Sequence, residues 1–264
     1  MARWLNIFSK SIAGLAVLFA SSASSQELEK LDRLLKERLT YLQEKNLPNV
    51  GSTFGVPSGT TLSPKSGFLS GSIASLPGGG SAETPFDASA AIGYGIPLGS
   101  NLPSLDLYLG ITSVNPKGAD SGFGIGEDGN ISLKSTIYKK KDTALAIGAN
   151  NVVAWGEAKK TPQNTYMAYS KAVRFDFADI TTTLGYGTAQ SRAGEAGGFI
   201  GLGITSHLSA NMSYGISYNV DRWMAGVNTS ISLFDAPISL SFGLDDALDE
   251  LKARRVMFSF ARVF

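Results

Sequence analysis

The chain has 264 residues with 23 basic and 22 acidic side chains, so no basic field points to nucleic acid. Cysteine is absent, which excludes a disulfide framework and cysteine-based metal sites. Thirty glycines and 23 Phe and Tyr residues in a chain of this length suit one large all-β unit with an N-terminal extension.

Residues 1–25 read as a secretory signal. Arg3 and Lys10 supply the positive start, Ile12 to Ala20 the apolar stretch, and Ser21 to Ser25 the small residues for cleavage. Residues 26–45 read as a periplasmic amphipathic helix: Leu28, Leu31, Leu35, Leu39 and Leu42 recur at three- and four-residue steps between charged residues. One apolar stripe on a charged helix requires a cover, which could be a second copy of the chain, a periplasmic partner, the barrel mouth or a membrane surface. Residues 46–65 are rich in Gly, Ser, Thr and Pro and are expected to form a flexible linker.

From Ser66 to Phe264 the apolar period becomes two, as in strands whose successive side chains point to opposite faces. Leu105, Leu107, Leu109 and Ile111 alternate with Asp106, Tyr108, Gly110 and Thr112. The same rhythm carries Ile131 and Leu133; Ile147 and Val153; Leu184 and Tyr186; Ile200, Leu202 and Ile204; Tyr214, Ile216 and Tyr218; and Leu240, Phe242 and Leu244. The second face is almost entirely Gly, Ser, Ala, Thr and Asn. A soluble sandwich puts many charges on its outer face. Bulky residues meeting lipid and small ones lining a lumen instead predict an antiparallel transmembrane β-barrel of about 12 strands. Gly93/Gly95, Gly185/Gly187 and Gly201/Gly203 fall on the small face and are read as aids to wall curvature. Over Thr165 to Phe175, Lys171 and Arg174 leave the parity open.

Connections alternate short and long, and the short set, with both chain termini of the barrel, is assigned to the periplasm. In that orientation Phe86, Trp155, Tyr186, Tyr218 and Trp223 form an external aromatic belt, and Tyr94, Phe260 and Phe264 a periplasmic one.

The last eleven residues, Arg254 to Phe264, resemble the closing strand of bacterial outer-membrane barrels, a porin-like class. Val256, Phe258, Phe260 and Phe264 match its alternating apolar pattern, while Arg262 departs from it. The resemblance implies an outer-membrane location among lipid and lipopolysaccharide, and recognition of those four residues by the barrel-assembly machinery. Some barrels of this class are lipid-modifying enzymes with a His-x-Ser pair on the lipid-facing wall. Here His207-Leu-Ser209 has the spacing, but both residues share lumen parity and Ala210 replaces the family's asparagine. No catalytic residue, and no cofactor, is therefore expected. Acidic clusters at Asp120, Glu127 and Asp128 and at Asp245, Asp246, Asp249 and Glu250 are read as solvated loop charge rather than metal sites.

About twelve strands leave room for a lumen. The expected function is a weakly selective pore for passive diffusion of small solutes, lined by Asp87, Asp106, Lys134 and Arg255, which carry both signs. The alternatives are a non-conducting structural barrel whose N-terminal helix plugs the lumen, oligomerises or docks a periplasmic partner, and, ranked last, a lipid-modifying barrel enzyme using His207 and Ser209.

Overall fold

The computed structural model describes residues 53–75, 86–99, 104–112, 126–207, 212–233 and 236–264, together with Arg33 and Lys36. The chain divides into two units, 1–47 and 48–264. In the first, Arg33 and Lys36 are helical and exposed. The expected signal segment 1–25, and the remainder of 26–45, lie outside the described residues.

The second unit is a closed antiparallel barrel of twelve strands in sequence order. These are β1 (Gly67–Ser75), β2 (Phe86–Ile96), β3 (Leu105–Ile111), β4 (Gly129–Lys139), β5 (Thr143–Trp155), β6 (Asn164–Arg174), β7 (Ala178–Gly187), β8 (Gly197–Ser206), β9 (Met212–Asn219), β10 (Arg222–Leu233), β11 (Ala236–Asp245) and β12 (Arg255–Val263). Each strand bonds to its sequence neighbours, and β12 returns to β1 with Phe258 opposite Ile73. Closure gives every strand two partners, so no row of backbone amides is left at an edge.

Burial is inverted relative to a soluble protein. Phe242 is 56% exposed and Tyr186 55%, while Ala144, Ala146 and Ala168 are wholly buried. On every strand the main row of bulky side chains points away from the barrel axis, where only hydrocarbon solvates it without penalty; Tyr166, Phe199 and Met224 are inward exceptions. The wall between β4 and β5 is irregular. Ile137 is an extra residue opposite β5, and a second register shift lies near Asn151, which adopts φ 57°. The open parity of Thr165 to Phe175 resolves with Tyr166, Ala168, Ser170 and Ala172 facing inward. Lys171, near the end of β6, faces out, where a long side chain can carry its charge to the interface.

At one end the connections Lys140–Asp142, Phe175–Phe177 and 207–211 are short; this is the turn end. At the opposite, loop end, 188–196 and 246–254 are longer. Asp245 ties these loops together, accepting from Arg192 Nη2 at 2.5 Å and Arg222 Nε at 2.6 Å. Arg222 also holds Asp221 at 2.8 Å, in the tight turn after β9. Asp246, wholly buried, accepts from the backbone amides of Glu250, Leu251 and Ala253. The carboxylates at 245 and 246 are thus engaged with arginines and backbone, and no group of metal-ligating side chains occurs among the described residues. The aromatic residues Tyr218 and Trp223 meet at this end, ring centroids 5.2 Å apart.

Candidate solute passage and its internal strap

Residues 53–66, the C-terminal part of the expected linker, do not hang outside the barrel. They run inside it as a strap that descends from the loop-end half of the lumen to the turn end and there enters β1. Their composition explains this. Gly, Ser, Thr and Pro disfavour helix and strand, so the backbone amides must find partners elsewhere, and the wall supplies them.

At its upper end the strap carries Phe54 and Val56. Gly203, Gly215, Gly226 and Gly243 stand directly opposite one another on β8, β9, β10 and β11, an unbroken glycine row on the inner wall. Phe54 lies on three of them: a Cβ at Gly215 would come 2.7 Å from Phe54 Cβ, and at Gly226 or Gly243 it would strike the ring itself. Ser217 Oγ donates to the Phe54 carbonyl at 2.7 Å. Val56 is buried with Tyr166, Ala168, Phe199 and Met224, an apolar cluster on the inner wall.

The middle and lower strap is held through its backbone. Gly59 N donates to Ser170 Oγ at 2.8 Å, and Thr136 Oγ1 donates to the Gly59 carbonyl at 3.2 Å. A Cβ at Gly59 would run into the Ala144 carbonyl, so only glycine passes there. Lys134 Nζ donates to Ser58 Oγ at 3.2 Å. Leu62 N donates to Asp106 Oδ2 at 2.9 Å, and Ser104 Oγ returns a bond to the Leu62 carbonyl at 2.6 Å. Tyr108 completes the Asp106 shell, its hydroxyl donating at 2.5 Å.

These contacts place the expected pore-lining residues. Asp106 and Lys134 do face inward, directly opposite one another on β3 and β4. They are covered by the strap, Asp106 completely and Lys134 to 8% exposure. Their parity was legible in the sequence, but the occupant of the space they face was not. Asp87 and Arg255 sit elsewhere, half-buried on the inner wall near the loop end, with Arg255 opposite Asp245. Of the proposed assembly residues, Val256, Phe258 and Phe260 are exposed on the outer face of β12, and Phe264 pairs by both backbone groups with Gly67. His207 meets Asp179 at 3.1 Å beside the turn-end rim, and Arg174 grips the same carboxylate with two bonds of 2.8 Å. Ser209 lies outside the described residues.

Sequence reading passed over Phe199, Met224 and Tyr166, although a signal was present. Each is a bulky apolar residue on the small-residue face, sharing parity with Gly201, Gly226 and Ala168 respectively. Such a residue inside a barrel needs an apolar partner there.

Asp106→Ala strips the Leu62 amide and the Tyr108 hydroxyl of their acceptor and leaves Lys134 facing no opposite charge. The expected loss is about 1–3 kcal/mol in urea unfolding from detergent micelles, with Asp106→Asn recovering at least half. An unchanged midpoint would remove Asp106 as an anchor.

The closed twelve-strand wall and the apolar exterior define the class: a transmembrane β-barrel of the bacterial outer membrane. No protein-family model matches the chain, and no curated protein matches it. Among solved structures it is similar to an outer membrane channel from Pseudomonas putida F1, at 9% identity over 78% of this chain and 97% of that one, TM-score 0.44. It is also similar to the KdgM porin, at 12% identity over 75% of this chain and 99% of that one, TM-score 0.46.

Proposed function

We propose that the protein is a weakly selective channel for passive diffusion of small solutes, its bore reduced to a crescent by its own residues 53–66. One observation supports this reading above the rest. The strap buries most of the inner face of β4 to β8 and rests with Phe54 on β9 to β11, yet Ser213, Asn228, Ser241, Ser259, Ser72 and Ser89 on β9 to β12, β1 and β2 remain partly accessible. Asp87 and Arg255, of opposite sign near the loop-end mouth, favour neither anions nor cations strongly. By loop length the turn end faces the periplasm.

A second reading has the strap itself in its favour: a sealed barrel, plugged by the linker rather than by the helix over 26–45. Planar-bilayer recording of the full-length protein separates the two. Stable conductance steps are expected, and a membrane that stays silent although protein has inserted would establish the sealed barrel.

A further inference from the structure

The accessible arc has its own chemistry. Ser213 stands opposite Asn228, Asn228 opposite Ser241, Ser241 opposite Ser259, Ser259 opposite Ser72, and Ser72 opposite Ser89. Six adjacent strands thus present one continuous row of hydroxyl and amide groups, slanting across the inner wall from near the turn end on β9 to near the loop end on β2. The charged inward pair, Asp106 and Lys134, lies on the other side, under the strap. Nor is the hydrogen-bonding capacity of the row used up. Ser72 and Ser89 bond to each other at 2.6 Å, but among the described residues the side chains of Asn228, Ser241 and Ser259 make no hydrogen bond within the protein. All six are half-buried, so these groups are open to whatever occupies the crescent.

We propose that this row makes the passage selective for small neutral polyhydroxylic solutes, of the size and chemistry of a simple sugar, over ions of equal size. The inference rests on the channel reading above. A sugar entering the crescent exchanges bonds to water for bonds to serine hydroxyls and the Asn228 amide, each of which donates and accepts. An ion of the same size loses part of its hydration shell, and neutral hydroxyls beside a low-dielectric wall restore little of it. The strap strengthens the contrast twice over: it narrows the bore, and it covers Asp106 and Lys134, leaving Asp87 and Arg255 near the loop-end mouth to act at the entrance rather than along the row.

The test uses the full-length protein in liposomes, with uptake of glucose compared against gluconate and glucosamine, near-equal in size and opposite in charge. Glucose is expected to enter at least about threefold faster than either. Ser259→Asp, which puts a carboxylate in the middle of the row, is expected to reverse the order of glucose and glucosamine. If current flows in bilayers but the three solutes enter at equal rates, or Ser259→Asp leaves their order unchanged, the sugar selectivity is wrong and the channel stands. Where neither current nor any solute passes, the channel reading falls and the selectivity with it.

Discussion

A variant lacking residues 26–65 is expected to conduct about 1.3- to 1.6-fold more current per channel than the intact protein. The size of the effect follows from geometry. Twelve strands about 4.8 Å apart and tilted near 40° close a ring of roughly 12 Å radius at the backbone. Small inward side chains leave a bore of roughly 8 Å radius, and an extended chain about 8–10 Å across occupies roughly a quarter to two-fifths of that area. The companion variant lacking only 26–45 keeps the strap and should conduct as the intact protein does. Bilayer recording of the three proteins side by side decides the matter. An equal rise in both deletions would assign the obstruction to the N-terminal helix, and no rise in either would mean that the strap does not limit flow. The barrel itself should survive the deletion, since its wall is held by a closed ladder of backbone bonds that the strap joins only at Lys65 and Ser66, which pair with Gly95.

The second large effect concerns the glycine row. Gly226→Val puts a branched side chain where Phe54 now rests on β10. Overpacking of this kind costs about 1–3 kcal/mol, and Phe54→Ala, which empties the same slot, costs about 2–3 kcal/mol because the ring is only half-buried. The two changes act on one contact, so the double variant should lose at least about 1 kcal/mol less than the sum of the singles. Urea unfolding of the four proteins in the same detergent measures the cycle. If the row served only to let the wall curve, Gly226→Val would destabilise equally with or without the Phe54 ring, and the coupling would vanish. Both single variants should also raise conductance by loosening the upper strap.

The same row shows how far sequence reading carries. Gly203, Gly215, Gly226 and Gly243 sit on the small face of their strands, which periodicity identifies from a handful of neighbouring residues. That they align across four strands depends on register, and register follows from pairing. Why they are glycines depends on Phe54, which is 161 residues before Gly215 and belongs to a segment with no period of its own. The bond from Ser217 to the Phe54 carbonyl spans 163 positions, and that from Gly59 to Ser170 spans 111. Contacts of that separation leave no local pattern to read.

Within the sequence alone lay the all-β class, the strand number near twelve, the inward or outward sense of nearly every strand residue and the contact of the bulky rows with lipid. Each follows from an alternation that hydrocarbon on one side and a lumen on the other impose on consecutive residues. Only the tertiary structure decided what fills that lumen. It turned a Gly, Ser, Thr and Pro stretch that would pass for a tether into an internal strap, because the amides of an irregular chain find in the barrel wall the partners that they cannot find in themselves. In doing so it withdrew Asp106 and Lys134 from the water they were expected to meet and left the serine row of β9 to β2 to face it.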